Sequence, residues 1–198
     1  MSEPGAVATG SCIQPCHQIR SLPLAVLTLA MTLDDLNRLT GRQAQAEFLK
    51  CCGSDEWAKR MCDARPFSNW DELSSKADEI WWNLDEEDWL EAFRAHPKIG
   101  EKKAAAAQSA EAQQWSANEQ SESQKAAAET KTALAEGNRE YEQRFGFIFI
   151  ICATGRSAEE ILAALNGRLN NDAETELRVA AEEQRKITQL RLQKLLQN

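Results

Sequence analysis

The chain has 198 residues, of which 42% are hydrophobic and 27% charged, and it carries a net charge of −8. At that length one domain with a sizeable core is the default, and the acidic balance excludes a general nucleic-acid binder, which needs a basic footprint. A small anionic substrate stays compatible, because a local cationic pocket can outweigh the global sign.

Residues 1–30 read as an N-terminal extension and 31–198 as a helical domain. The extension contains CIQPCH, a C-x3-C-H run from Cys12 to His17 that lacks the paired spacing of a zinc framework. Of the remaining cysteines, Cys51 and Cys52 are adjacent, while Cys62 and Cys152 stand alone. Free thiols in a reducing cytoplasm are the reading, with no metal. Leu22 to Met31 resembles a weak signal h-region, but no convincing cleavage site follows it. No run of about 18 apolar residues exists, so no membrane span is expected.

From Met31 onward the chain reads as helices. TLDDLNRLT spaces Leu33, Leu36 and Leu39 by threes behind Thr32. RQAQAEFLKCC follows and halts at Gly53. SDEWAKRMCDA starts on Ser54 and ends before Arg65-Pro66. NWDELSSKADEIWWNL places Trp70, Leu73, Ala77, Ile80, Trp81 and Leu84 on one stripe. DEEDWLEAFRA carries Trp89, Leu90 and Phe93, with four acids in its first turn to suit the helix dipole.

Next comes an alanine-rich stretch, EKKAAAAQSAEAQQW, with high helix propensity and little to bury, a loosely held helix or a lid. A long helix is expected from Ser116, with an interruption near Gly137. FIFIICATG, Phe147 to Gly155, is an apolar run between glycines, a buried strand or a buried helical turn. SAEEILAALNGRL opens on a capping box of Ser157 and Glu160. A long C-terminal helix closes the chain, and its leucines Leu190, Leu192 and Leu195 are candidates for a subunit interface. The class is all-α, a single-domain helical bundle.

Three features carry possible chemistry. His96 precedes Pro97, which pushes it out of the α region, so a helix should end there. At a helix C-terminus the dipole favours protonated imidazole, which suits a proton donor near neutral pH. A surface capping histidine is the plainer alternative. WSANEQSE holds Ser116 and Glu119 as S-x-x-E, which by itself is a helix-starting capping box. A helix start also offers free N–H groups to a carboxylate or carbonyl, and Gln120 adds an amide that both donates and accepts. Arg191 falls near one face with Ala180 and Ile187, either snorkelling along an apolar stripe or clamping an anion.

Taken together, FLKCCGSDEWAKRM with RPF, then AFRAHPKIGE, WSANEQS, FGFIFIICATGRSAEEIL and KITQLRL resemble the OHCU decarboxylase family, in that family's order, over about Met31 to Leu196. These enzymes act on 2-oxo-4-hydroxy-4-carboxy-5-ureidoimidazoline in urate breakdown. The resemblance implies an all-helical, cofactor-free and typically homodimeric enzyme whose product is (S)-allantoin. It implies that His96 is catalytic, with Pro97 lining the pocket beside it. It also implies that Ser116, Ala117, Asn118, Glu119 and Gln120 hold the substrate, with Glu119 close to the reacting carbon. Ile151, Cys152, Ala153, Thr154 and Gly155 would lend further contacts, and Arg191 would bind substrate.

In that reading His96 supplies or relays a proton as general acid. Glu119 either repels the departing carboxylate or orients the imidazole. Two other readings stay open: a lyase or hydrolase on a related ureide, and a non-catalytic helical module that docks a partner.

Overall fold

Short polar residues set the helix starts. Thr32 and Asp35 form a capping box ahead of α1 (Leu33–Arg38), and Thr40 and Gln43 another ahead of α2 (Gly41–Cys51). Ser54 accepts from the Trp57 N–H to open α3 (Asp55–Asp63), and Asn69 accepts from the Glu72 N–H to open α4 (Trp70–Trp82). Asp85 precedes α5 (Glu86–Arg94), and Ser157 with Glu160 boxes α8 (Ala158–Arg168). Each such cap satisfies an orphan backbone donor and contributes about 1 kcal/mol. The remaining helices are α6 (Ala110–Glu119), α7 (Ala128–Phe145) and α9 (Ala173–Gln197). The computed structural model describes Met1 and residues 31–98, 109–119 and 128–197. Among these the fold is all-α, a helical bundle without strands. The CIQPCH run, the apolar run from Leu22 to Ala30 and most of the first alanine-rich stretch lie outside the described residues.

The main core gathers α1 to α5 against α9. Phe48, Trp57, Met61, Leu73, Trp81 and Phe93 are buried there. Three buried indoles also tie elements together. Trp57 Nε1 donates to Ala77 O at 3.1 Å, Trp81 Nε1 to Ala181 O at 3.0 Å, and Trp89 Nε1 to Trp81 O at 2.9 Å. Each ring thus buries its apolar body without orphaning its one donor. The predicted stripe of α4 is the buried one: Leu73, Ala77, Ile80, Trp81 and Leu84 all face inward, while Trp70 is half-buried.

A second cluster packs α7 on α8 through Leu134, Tyr141, Ile161 and Leu165. Gly137 does not interrupt α7, as the sequence suggests it could. It sits inside the helix, where a Cβ would lie 2.2 Å from Leu165 Cδ2. The glycine lets two helix axes approach.

Two further expectations change. FIFIIC forms neither strand nor helix; residues 148–153 are irregular backbone between Gly146 (φ 78°) and Gly155 (φ 77°). Among the described residues no strand lies beside the run, and side chains take up polar groups of its backbone. Arg168 Nη1 donates to Ile150 O at 2.7 Å, and the Cys152 N–H donates to Glu183 Oε2 at 2.8 Å. Arg168 is in turn held by Glu176 and Tyr141. The leucines offered as a subunit face also move inside. Leu192 is 0% exposed and Leu195 4%, both in the main core, leaving only Leu190 half-buried.

Candidate active site

The end of α5 delivers His96. Its N–H donates to Phe93 O at 3.0 Å, closing the last turn, and Pro97 prevents continuation. The imidazole lies with residues of two other elements, Ser116 and Glu119 of α6 and the inner stripe of α9. Ser116 and Glu119 lie within α6, which begins at Ala110, so they do not form a helix-starting box. Their three-residue spacing puts both on one face, toward α9. Ala117 and Asn118, between them, are exposed on the outer face. Gln120 lies outside the described residues.

Arg191 on α9 locks that face in place. Its Nη2 donates to Ser116 Oγ at 2.9 Å and to Glu119 Oε2 at 2.9 Å, while its Nε donates to Glu119 Oε1 at 3.1 Å. The fork-to-carboxylate match fixes both side chains in one geometry. Lys194, one turn further along α9, donates to Glu119 Oε1 at 3.2 Å. Arg191 is only 2% exposed, so this ion pair is largely shielded from solvent.

The groups set one another's protonation. Burial works to raise the Glu119 carboxyl, but it is outweighed by the Arg191 hydrogen bonds and by the charges of Arg191 and Lys194, which keep it below its ordinary value. Burial, followed by the positive charge of Arg191, pulls the His96 imidazole down to about 3. Glu119 and the Gln184 side chain pull the other way without reversing this. The dipole argument, which favours imidazolium, therefore fails here: desolvation and one guanidinium outweigh half a charge at a helix end. His96 is neutral, although part of its surface still borders open space.

That open space has two parts. A small hollow of about 20 Å³ is lined by His96, Pro97, Ser116, Glu119, Ile151 and Ile187. A cleft of about 510 Å³ is lined by His96 and Arg191 together with Lys50, Asp55, Glu91 and Arg94. The hollow holds no more than a water-sized group, whereas the cleft has the volume of an ordinary ligand pocket. His96 borders both. Among the described residues no three His, Cys, Asp or Glu side chains converge as a metal site.

A family model described as OHCU decarboxylase matches residues 37–193. The chain belongs to the OHCU decarboxylase family. Among curated relatives it is 42% identical over 150 residues to the uric acid degradation bifunctional protein TTL of Arabidopsis thaliana, covering 75% of this chain and 46% of that protein. It is 34% identical to the 2-oxo-4-hydroxy-4-carboxy-5-ureidoimidazoline decarboxylase of Haloferax volcanii, covering 82% of this chain and 94% of that one. The chain thus spans under half the length of the plant protein and nearly all of the archaeal one. Among solved structures, an OHCU decarboxylase crystallised in the presence of (S)-allantoin superposes with a TM-score of 0.67 at 42% identity, covering 77% of this chain and 99% of that one.

Of the family positions expected from sequence, His96, Pro97, Ser116, Glu119, Ile151 and Ala153 share the small hollow, and Arg191 reaches it through its hydrogen bonds. Thr154 and Gly155 are exposed beyond it, and Cys152 is half-buried with its N–H turned to Glu183. Sequence reasoning put Ile187 on the Arg191 face without assigning it to the site, and it missed Lys194 and Gln184. Counting helical turns from Arg191 finds all three, at +3, −4 and −7.

Proposed function

We propose that the protein decarboxylates 2-oxo-4-hydroxy-4-carboxy-5-ureidoimidazoline to (S)-allantoin without a cofactor. The observation that carries this reading is the convergence of a neutral imidazole, the Arg191-bound Glu119 and Ser116 on one hollow beside a ligand-sized cleft. Family membership and the two relatives above support the substrate class.

The chemistry explains why such a site suffices. Loss of CO2 leaves an electron pair next to a ring C=N, and that bond accepts it, forming C=C while the ring nitrogen takes a proton from solvent. The adjacent hydroxyl then gives up its proton to become a carbonyl, and the neighbouring carbon gains one. Neutral His96 can perform both halves, accepting the hydroxyl proton and returning it to carbon from one face. This revises the simple general-acid role: the imidazole starts as a base. Glu119 stabilises the transient imidazolium, since an adjacent carboxylate favours the charged form. Because Arg191 and Lys194 already hold that carboxylate, its repulsion of the substrate is muted. The two cations outnumber it, and the surplus positive charge suits an anionic ring in a protein of net charge −8. Arg191 Nη1, which makes no hydrogen bond to the described residues, is available to a carbonyl, and fixed orientation of the breaking bond supplies much of the acceleration.

Residues 31–198 form the catalytic unit in this reading, homodimeric as the family resemblance implies and cytoplasmic as the free cysteines suggest, with 1–30 as an extension. The test is incubation with freshly generated substrate, followed by circular dichroism of the product. Optically active allantoin forming faster than the spontaneous reaction is expected. A racemic product at the background rate overturns the proposal.

A further inference from the structure

We propose that Gln184 is a positioning residue that fixes the tautomer of His96, holding the imidazole proton toward α9 and presenting the other ring nitrogen, unprotonated, to the hollow. The inference rests on the proposed reaction for its purpose and on α9 for its geometry. Gln184, Ile187, Thr188 and Arg191 follow one another at helical spacing and are all buried, so they form one inward stripe. Arg191 fixes Glu119 and Ile187 lines the hollow. Gln184, 0% exposed, occupies the turn that faces the imidazole.

The orientation of its amide follows from Thr188. The Thr188 hydroxyl donates to the Gln184 backbone oxygen at 3.0 Å, so its single proton is committed. It can only accept from the Gln184 side chain, and Nε2 donates to it at 3.1 Å. Oε1 must therefore point away from Thr188. It is the one buried side-chain nitrogen or oxygen among the described residues without a hydrogen-bond partner. A buried carbonyl oxygen in that state is an acceptor waiting for a donor. The imidazole is the group it faces, and a neutral imidazole carries one N–H to give. A small rotation of the ring closes this bond. Once the proton sits there, the second nitrogen is a lone pair, as the relay requires for its first step.

The experiment uses the full-length chain and three readouts: steady-state kinetics, 15N shifts of the His96 imidazole, and thermal unfolding. Gln184→Leu keeps the bulk and removes the acceptor. Thr188→Val keeps the acceptor but frees the amide to turn. In the parent protein one nitrogen should resonate as N–H and the other as a lone pair. In Gln184→Leu the two shifts should converge toward a tautomer mixture, and kcat should fall about 10-fold or more while KM stays within about twofold. Thr188→Val should show the same pattern with a smaller loss. Distinct, unchanged 15N shifts in Gln184→Leu would overturn the proposal, as would a variant whose kcat falls only in proportion to lost folded protein, with KM unchanged. An inactive parent protein with the 15N pattern intact would instead strike the proposed reaction and leave the assignment of Gln184 standing.

Discussion

His96 illustrates how a single residue can be placed correctly by local rules and charged wrongly by them. The step before proline put it at a helix end. The dipole there favours imidazolium, yet burial and Arg191 hold the ring neutral, with its pKa down at about 3. This has a consequence for stability. Below its ordinary value of 6.5 an unfolded chain binds a proton at His96 that the folded chain refuses. The unfolded state is then favoured, so this part of stability is present above pH 6.5 and lost as pH falls toward 3. Glu119 and other carboxylates add their own loss only further down, below the ordinary 4.5. In urea unfolding, a His96→Gln variant should therefore lose less stability than the parent between pH 6.5 and 4.5. Parallel curves for the two proteins would contradict the neutral assignment. Arg191 shows a related lesson. The sequence offered snorkelling or anion binding, and the structure adds a third task, the internal clamp on Ser116 and Glu119.

Among the elements, α7 and α8 depend on one missing side chain. Two opposing effects meet at Gly137. Alanine would favour the helix by about 1 kcal/mol over glycine. Its Cβ would also strike Leu165, which is fully buried and cannot swing aside. Overpacking of that kind costs about 1–3 kcal/mol, so the clash should win. Gly137→Ala is expected to lower the stability seen in urea unfolding, by about 1 kcal/mol. A gain would mean that the helices separate easily. The irregular run 148–153 is the other element worth weighing. Its position is set by Arg168 and Glu183, two residues distant in sequence, and it is through that anchoring that Ile151 comes to line the hollow beside His96.

For the whole molecule the question is whether the two hydrophobic clusters stand alone. The main cluster includes Trp57, Trp81, Trp89 and Trp115, whereas the second contains Tyr141 and no tryptophan. Phe147 packs against both, touching Phe93 on one side and Tyr141 on the other. Glu176 and Glu183 of α9 tie the second cluster and the irregular run to the helix that closes the main core. A single cooperative transition is expected, with tryptophan fluorescence and far-ultraviolet circular dichroism superimposing through urea unfolding. A second transition seen only by circular dichroism would show that α7 and α8 melt independently.

Much of this protein was legible in the chain alone, because the signals are local. Thr32, Ser54 and Ser157 carry their own capping chemistry, and the stripe from Leu73 to Leu84 carries its own period. The order of HPKIG, SANEQ, FGF and KITQLRL likewise survives in one dimension, which is why the family could be named from it. What only the tertiary structure decided depends on who stands opposite whom. Ser116 and Glu119 look like a helix start until α6 is seen to begin at Ala110, ahead of both. Leu192 and Leu195 look exposed until α4 and its neighbours cover α9. The charge on His96 and the orientation of Gln184 come from desolvation and from partners on other helices, and neither has any signature in the spacing of the residues around them.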